Sequence, residues 1–192
     1  MHINLINHIR KYVPLEDDDI NSINDHFKHK TLKNKDYLLQ SGQICKSFYF
    51  VDKGCLRMFF YNSKGIEQTV QFAIEDWWIT DYFSLFDQTK SEYNIQATEN
   101  SGILCIDYND YNNLLREAPV LESYFRIMAQ RALASSQWRL RLIFELSKEE
   151  MYLQFSSSFP QFVQRVPQYM LASYLGLTPE YLSEIRKRIS QA

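Results

Sequence analysis

Glycine and proline are scarce in this chain, five of each in 192 residues. That excludes collagen-like and Pro/Gly-rich disordered architectures, and it makes each one present a marker of a turn or helix end. Cysteine numbers three (Cys45, Cys55 and Cys105), with no CxxC pair and no cluster. An odd, scattered set forms no disulfide framework, and buried free thiols are expected. Nor does it supply the roughly four clustered thiolates of an iron–sulfur centre. The four histidines, His2, His8, His26 and His29, all precede the strand-rich segment. A cupin-like metalloenzyme, whose ligands project into a barrel, is therefore disfavoured. There is no HExxH, no Ser-His-Asp arrangement and no glycine-rich phosphate loop, so no enzyme is expected. The sequence carries no signal for a metal, haem or iron–sulfur cofactor. No run of about 18 apolar residues is present, and the N-terminal MHINLINHIRKYV has no leader-like apolar core. The expectation is a cytoplasmic protein with no membrane partner.

What is abundant is aromatic: 13 Phe, 13 Tyr and 3 Trp, which suits a β-rich core. The length allows one large domain or two small ones. The net charge of −2 hides an asymmetry: residues 1–122 balance at −6 and residues 123–192 at +4. A basic end on an acidic body fits contact with nucleic acid through that end.

Residues 3–29 repeat Ile and Val at helical spacing, with Pro14 as punctuation between two helices. From 31 to 108 the pattern becomes short strands, among them SFYFVDK, CLRMFFY, EQTVQFAI and GILCID. Turn residues at Gly42, Asp52–Gly54, Asn62–Gly65 and Asn100–Gly102 separate them. This predicts a compact antiparallel roll. Residues 119–146 read as one long helix with apolar residues on two sides. One side would face the roll. The other would meet the same helix of a second subunit, with Phe125, Met128, Ala132 and Leu142 as seam candidates, or stay buried inside one monomer. Ser147 and Glu150 have the spacing of a capping box, which starts a further helix. Ser156–Pro160 reads as a loop. The boundaries expected are 1–117 for N-terminal helices and roll, 118–146 for the long helix, and 147–192 for a C-terminal domain.

That last domain holds the most specific signal, QYMLASYLGLTPEYLSEIRK over residues 168–187. Ala172 allows a close helix crossing. Gly176 suits a left-handed bend. Thr178 and Pro179 restart a helix as N-cap and first-turn proline. Leu171, Leu175, Leu182 and Ile185 are spaced to pack the two helices together. Glu180, Ser183, Glu184 and Lys187 share the opposite face. The pattern predicts a helix-turn-helix, whose second helix enters the DNA major groove. Glu180, Ser183 and Glu184 are candidates for base contact, and Tyr169, Thr178 and Lys187 for phosphate contact.

The order of roll, long helix and C-terminal helix-turn-helix resembles the Crp/Fnr family of transcription regulators. The resemblance is carried by LLQSGQICKSFYFVDKGCLRMFFYNSKGIEQTVQF, EEMYLQF and VPQYMLASYLGLTPEYLSEIRK. It implies an α+β fold with a cyclic-nucleotide-binding-like jelly roll. It also implies a homodimer on a pseudo-palindromic double-stranded DNA operator, with RNA polymerase a further candidate partner. Two departures stand out. Where cyclic-nucleotide-binding members carry Gly-Glu and Arg-Ser, this chain has Asp81–Tyr82 and Ser91–Glu92, or Lys90–Ser91 with a one-residue shift. Carboxylates there would repel a phosphate, so cyclic AMP and cyclic GMP are disfavoured and the effector stays open. Glu184 stands where the family usually places a guanine-reading arginine. That keeps alive an alternative: an interaction module that kept the fold and lost sequence-specific DNA binding.

Overall fold

The structure, a computed structural model, describes residues 1–190. Two helices open the chain, α1 (Ile3–Arg10) and α2 (Asp17–His26). The strands β1 (Lys28–Leu32), β2 (Tyr37–Leu39), β3 (Ser47–Lys53), β4 (Leu56–Tyr61), β5 (Glu67–Ala73) and β6 (Trp78–Ile79) follow. A short α3 (Tyr82–Asp87) precedes β7 (Asn94–Ala97) and β8 (Ser101–Asp107). The rest is helical: α4 (Tyr108–Glu117), α5 (Val120–Glu145), α6 (Lys148–Ser158), α7 (Pro160–Arg165), α8 (Gln168–Leu175) and α9 (Pro179–Ser190).

The strands form two four-stranded sheets, ordered β1-β8-β3-β6 and β2-β7-β4-β5. The pairings β1 with β8, β8 with β3, β3 with β6, β2 with β7 and β7 with β4 are antiparallel. This is the expected jelly roll of an α+β protein. The apolar run of β3 explains its place inside its sheet, where Phe48, Tyr49, Phe50 and Val51 are all buried. Gly54 turns β3 into β4 at φ +104, and a Cβ there would collide with Ser101 on β8.

The chain divides into two compact units. The first comprises residues 1–60 and 72–131, and its core joins α1 and α2 to the roll and to the start of α5 through Leu5, Ile9, Ile23, Phe50, Leu104, Leu121 and Tyr124. The second comprises residues 132–192 together with residues 61–71, the tip of the β4–β5 hairpin. The division thus falls within α5. Three short helices lacked an apolar repeat long enough to predict. Asp107 caps α4 by accepting from the Asn109 and Asp110 amides at 3.1 and 2.9 Å, Asp81 caps α3 in the same way, and α7 occupies part of the expected loop, with Pro160 in its first turn.

Candidate functional site

In the second unit, α8 ends as its sequence requires. Gly176 adopts the left-handed conformation at φ +66. Its amide donates to the Ser173 carbonyl at 3.2 Å, and the Leu177 amide donates to the Ala172 carbonyl at 2.8 Å. These two bonds close the helix as a Schellman turn. Thr178 Oγ1 then accepts from the Tyr181 amide at 3.2 Å, and α9 begins at Pro179. Ala172, Leu182 and Ile185 are fully buried where α8 meets α9. Glu180, Ser183, Glu184 and Lys187 lie exposed on α9, and Tyr169 on α8 and Thr178 ahead of α9 are exposed too. All six residues nominated from sequence are exposed. The charges of α9 run with the helix dipole, Glu180 in the first turn and Lys187 and Arg188 in the last.

Sequence reasoning missed the neighbours of these residues. Arg186, half-buried on the flank of α9, lines one cleft with Arg165, Pro167 and Gln168 and a second with Gln168, Ser183 and Lys187. Its offset from the outward stripe by one helical step was the available signal.

Ser173, on α8, is gripped by the β4–β5 hairpin. Its Oγ accepts from the Thr69 amide at 2.8 Å and donates to the Glu67 carbonyl at 2.7 Å. Gln68 Nε2 donates to the Ser173 carbonyl. Arg139 of α5 donates to the carbonyls of Val70 and Tyr174 and stacks over the Tyr174 ring at 4.0 Å. Burial raises the pKa of the Tyr174 phenol, with the Arg139 charge opposing.

In the first unit, the segment nominated for an effector is built around Asp81. Its carboxylate is buried and accepts from the Phe83 and Ser84 amides at 3.1 and 3.2 Å. The buried Ser91 hydroxyl donates to the same carboxylate at 2.6 Å. Asp81 and Ser91 are thus brought together, and the amides that open α3 already have an internal anion. Lys90 and Glu92 point outward, so the pairing partner is Ser91 under either alignment. Tyr82 is exposed, stacked on Phe86 with ring centres 6.0 Å apart. Among the described residues no group of three or more His, Cys, Asp or Glu could hold a metal ion. The three cysteines are free thiols, Cys45 and Cys55 buried.

Along α5, the four seam candidates separate. Phe125 packs on Phe48 and Trp78 of its own roll and on Tyr111 of α4, and Met128 lies against the same core. Ala132 is exposed and Leu142 partly so. The large exposed apolar side chains lie further along: Leu133 at 61%, Leu140 at 54%, Ile143 at 43% and Phe144 at 82%.

Comparison with known proteins locates this arrangement. Residues 29–118 match the cyclic nucleotide-binding domain family. No curated protein sequence matches the chain. Solved structures resemble it over most of its length. The c-di-GMP responsive global regulator CLP of Xanthomonas campestris superposes with a TM-score of 0.75 at 12% identity, covering 90% of this chain and 91% of that one. FixK2 from Bradyrhizobium japonicum gives 0.74 at 13%, covering 86% and 85%. A transcriptional regulator of the crp/fnr family from Eubacterium rectale gives 0.68 at 14%, covering 92% and 84%. At these identities the likeness establishes the fold: a cyclic-nucleotide-binding-like roll, a long helix and C-terminal helices. No helix among the described residues is long and apolar enough to cross a membrane.

Proposed function

We propose that this chain is a homodimeric transcription regulator that reads a two-fold-related DNA site with α9. One observation carries the reading: α8 and α9 join through a Schellman turn at Gly176 and leave Glu180, Ser183, Glu184 and Lys187 exposed on one face. Glu180 and Glu184 accept from base amino groups such as cytosine N4, and Ser183 serves either sense. Thr178, Tyr169 and Lys187 hold phosphates. The unpartnered stripe of α5 supplies the dimer seam, so that two copies of α9 face successive half-sites. RNA polymerase would be met only by the DNA-bound dimer.

The effector in this reading is not a cyclic nucleotide. The Asp81 carboxylate takes the amide donors that an incoming phosphate would need, and an anion brought beside it would be repelled. A second reading is favoured by Glu184 alone. A carboxylate on the groove-facing stripe costs affinity, and a chain that lost DNA binding would be an interaction module.

Fluorescence anisotropy with a labelled duplex of random sequence tests the reading. The full chain is expected to bind with a dissociation constant tighter than about 10 μM at ~50 mM salt. Cyclic AMP at millimolar concentration is expected to leave that titration unchanged. No binding supports the interaction module, and a shift with cyclic AMP overturns the effector reading.

A further inference from the structure

The end of α8 is closed by groups that α8 does not own. A helix leaves its last carbonyls without intrahelical donors. Here the Ser173 carbonyl accepts from the Gly176 amide at 3.2 Å and also from the Gln68 side chain. The Tyr174 carbonyl accepts from Arg139 of α5 at 2.8 Å, and the same guanidinium donates to the Val70 carbonyl. The Ser173 hydroxyl completes the contact between the Thr69 amide and the Glu67 carbonyl. Glu67, Gln68, Thr69 and Val70 thus hold one turn of α8, directly or through Arg139. Against these bonds stands one buried defect. Thr69 is 0% exposed, and its hydroxyl has no hydrogen-bond partner among the described residues. A buried hydroxyl in that state offsets one or more of the bonds made beside it.

Opening the hairpin from α8 returns the Thr69 hydroxyl to solvent and exchanges the bonds at Ser173 for bonds to water. The contact is therefore made of polar bonds that water can replace, and it is weakened from within. Residues 61–71 are also the turn between β4 and β5, whose other ends belong to the first unit. We propose that the tip of the β4–β5 hairpin is a releasable clasp on α8, fastened at Ser173 and kept weak by Thr69. Closed, it fixes α8, and with it α9, through the buried Ala172, Leu182 and Ile185 where the two helices meet. A reader already held in place loses less freedom on binding than a loose one, so the closed clasp favours DNA. That last consequence rests on the proposed function; the clasp itself does not.

Hydrogen exchange of the amide at position 69, measured by NMR on the full chain without DNA and corrected for intrinsic rate, tests the clasp. Ser173→Ala removes the acceptor of that amide, and its protection is expected to fall roughly tenfold. Thr69→Val keeps the side-chain shape and removes the orphaned hydroxyl, so protection is expected to rise by at least roughly fivefold. The Phe50 and Leu104 amides, on β3 and β8, are expected to keep their protection in both variants. If Thr69→Val brings no gain, the orphaned hydroxyl does not weaken the contact. If Ser173→Ala exposes Phe50 and Leu104 as much as position 69, the hairpin opens only with the whole fold. Either result overturns the clasp. Binding to a duplex of random sequence reads the consequence, and Ser173→Ala is expected to weaken it roughly tenfold. Unchanged affinity overturns the positioning of α9. If the unmodified chain binds no duplex, the proposed function fails and the exchange result alone decides the clasp.

Discussion

Residue-scale chemistry is sharpest at His8. Trp78 Nε1 donates to the Tyr124 hydroxyl at 2.8 Å. The same hydroxyl is hydrogen-bonded to His8 Nδ1, also at 2.8 Å. Burial lowers the His8 pKa below the ordinary 6.5, Asp76 pulls it upward, and Lys11 and Arg131 lower it further. A base whose folded pKa is depressed binds fewer protons folded than unfolded, so stability is lost as pH falls below the unfolded value. Thermal unfolding should show the unmodified chain losing more midpoint on acidification below pH 6.5 than His8→Gln does. Parallel pH dependence in the two proteins would remove His8 from the account. The sequence marks His8 only as one of four histidines ahead of the strands. Its partner lies 116 residues away, and no local pattern reports so distant a hydrogen bond. Asp81 was half legible: its charge argued against a phosphate ligand, but its bond from the Ser91 hydroxyl comes from ten residues further on.

Among the elements, α5 shows how far periodicity reaches. Apolar residues on two sides predicted two partners. The structure assigns the N-terminal part to its own roll, where Leu121 and Tyr124 are fully buried. Leu133, Ser136, Leu140 and Ile143 then recur at steps of three and four, the spacing of a coiled-coil seam, and Phe144 extends it. Which side served which partner was not legible, since Phe125 and Leu140 are equally apolar and only the roll distinguishes them. The long elements and the capping box at Ser147, whose hydroxyl accepts from the Glu150 amide at 3.3 Å, were legible because their signals are local. Leu140→Asp would set an unpaired charge in the proposed seam at a cost of about 3–5 kcal/mol. Light scattering at micromolar concentration should report twice the 22.9 kDa chain mass for the unmodified protein and the single mass for the variant. A monomeric unmodified chain contradicts the seam.

For the molecule as a whole, the charge asymmetry becomes spatial. The +4 balance of residues 123–192 includes Arg165, Arg186, Lys187 and Arg188, all in the unit that carries α9. Residues 61–71, read from sequence as part of a roll hairpin, belong to that unit too and grip α8 through Ser173. Strand pattern located the hairpin correctly but held no sign of its partner, because both bonds to Ser173 Oγ come from hairpin backbone, which any residue but proline supplies. The central claim is that two copies of α9 read DNA together. Selection of binding sites from a random duplex pool by the full chain tests it most directly. The account predicts an enriched motif with two-fold-related halves centred one helical turn apart, about 10–10.5 base pairs, with Glu180→Ala relaxing one position in each half by about 1–3 kcal/mol. A pool that enriches no two-fold-related motif would contradict it.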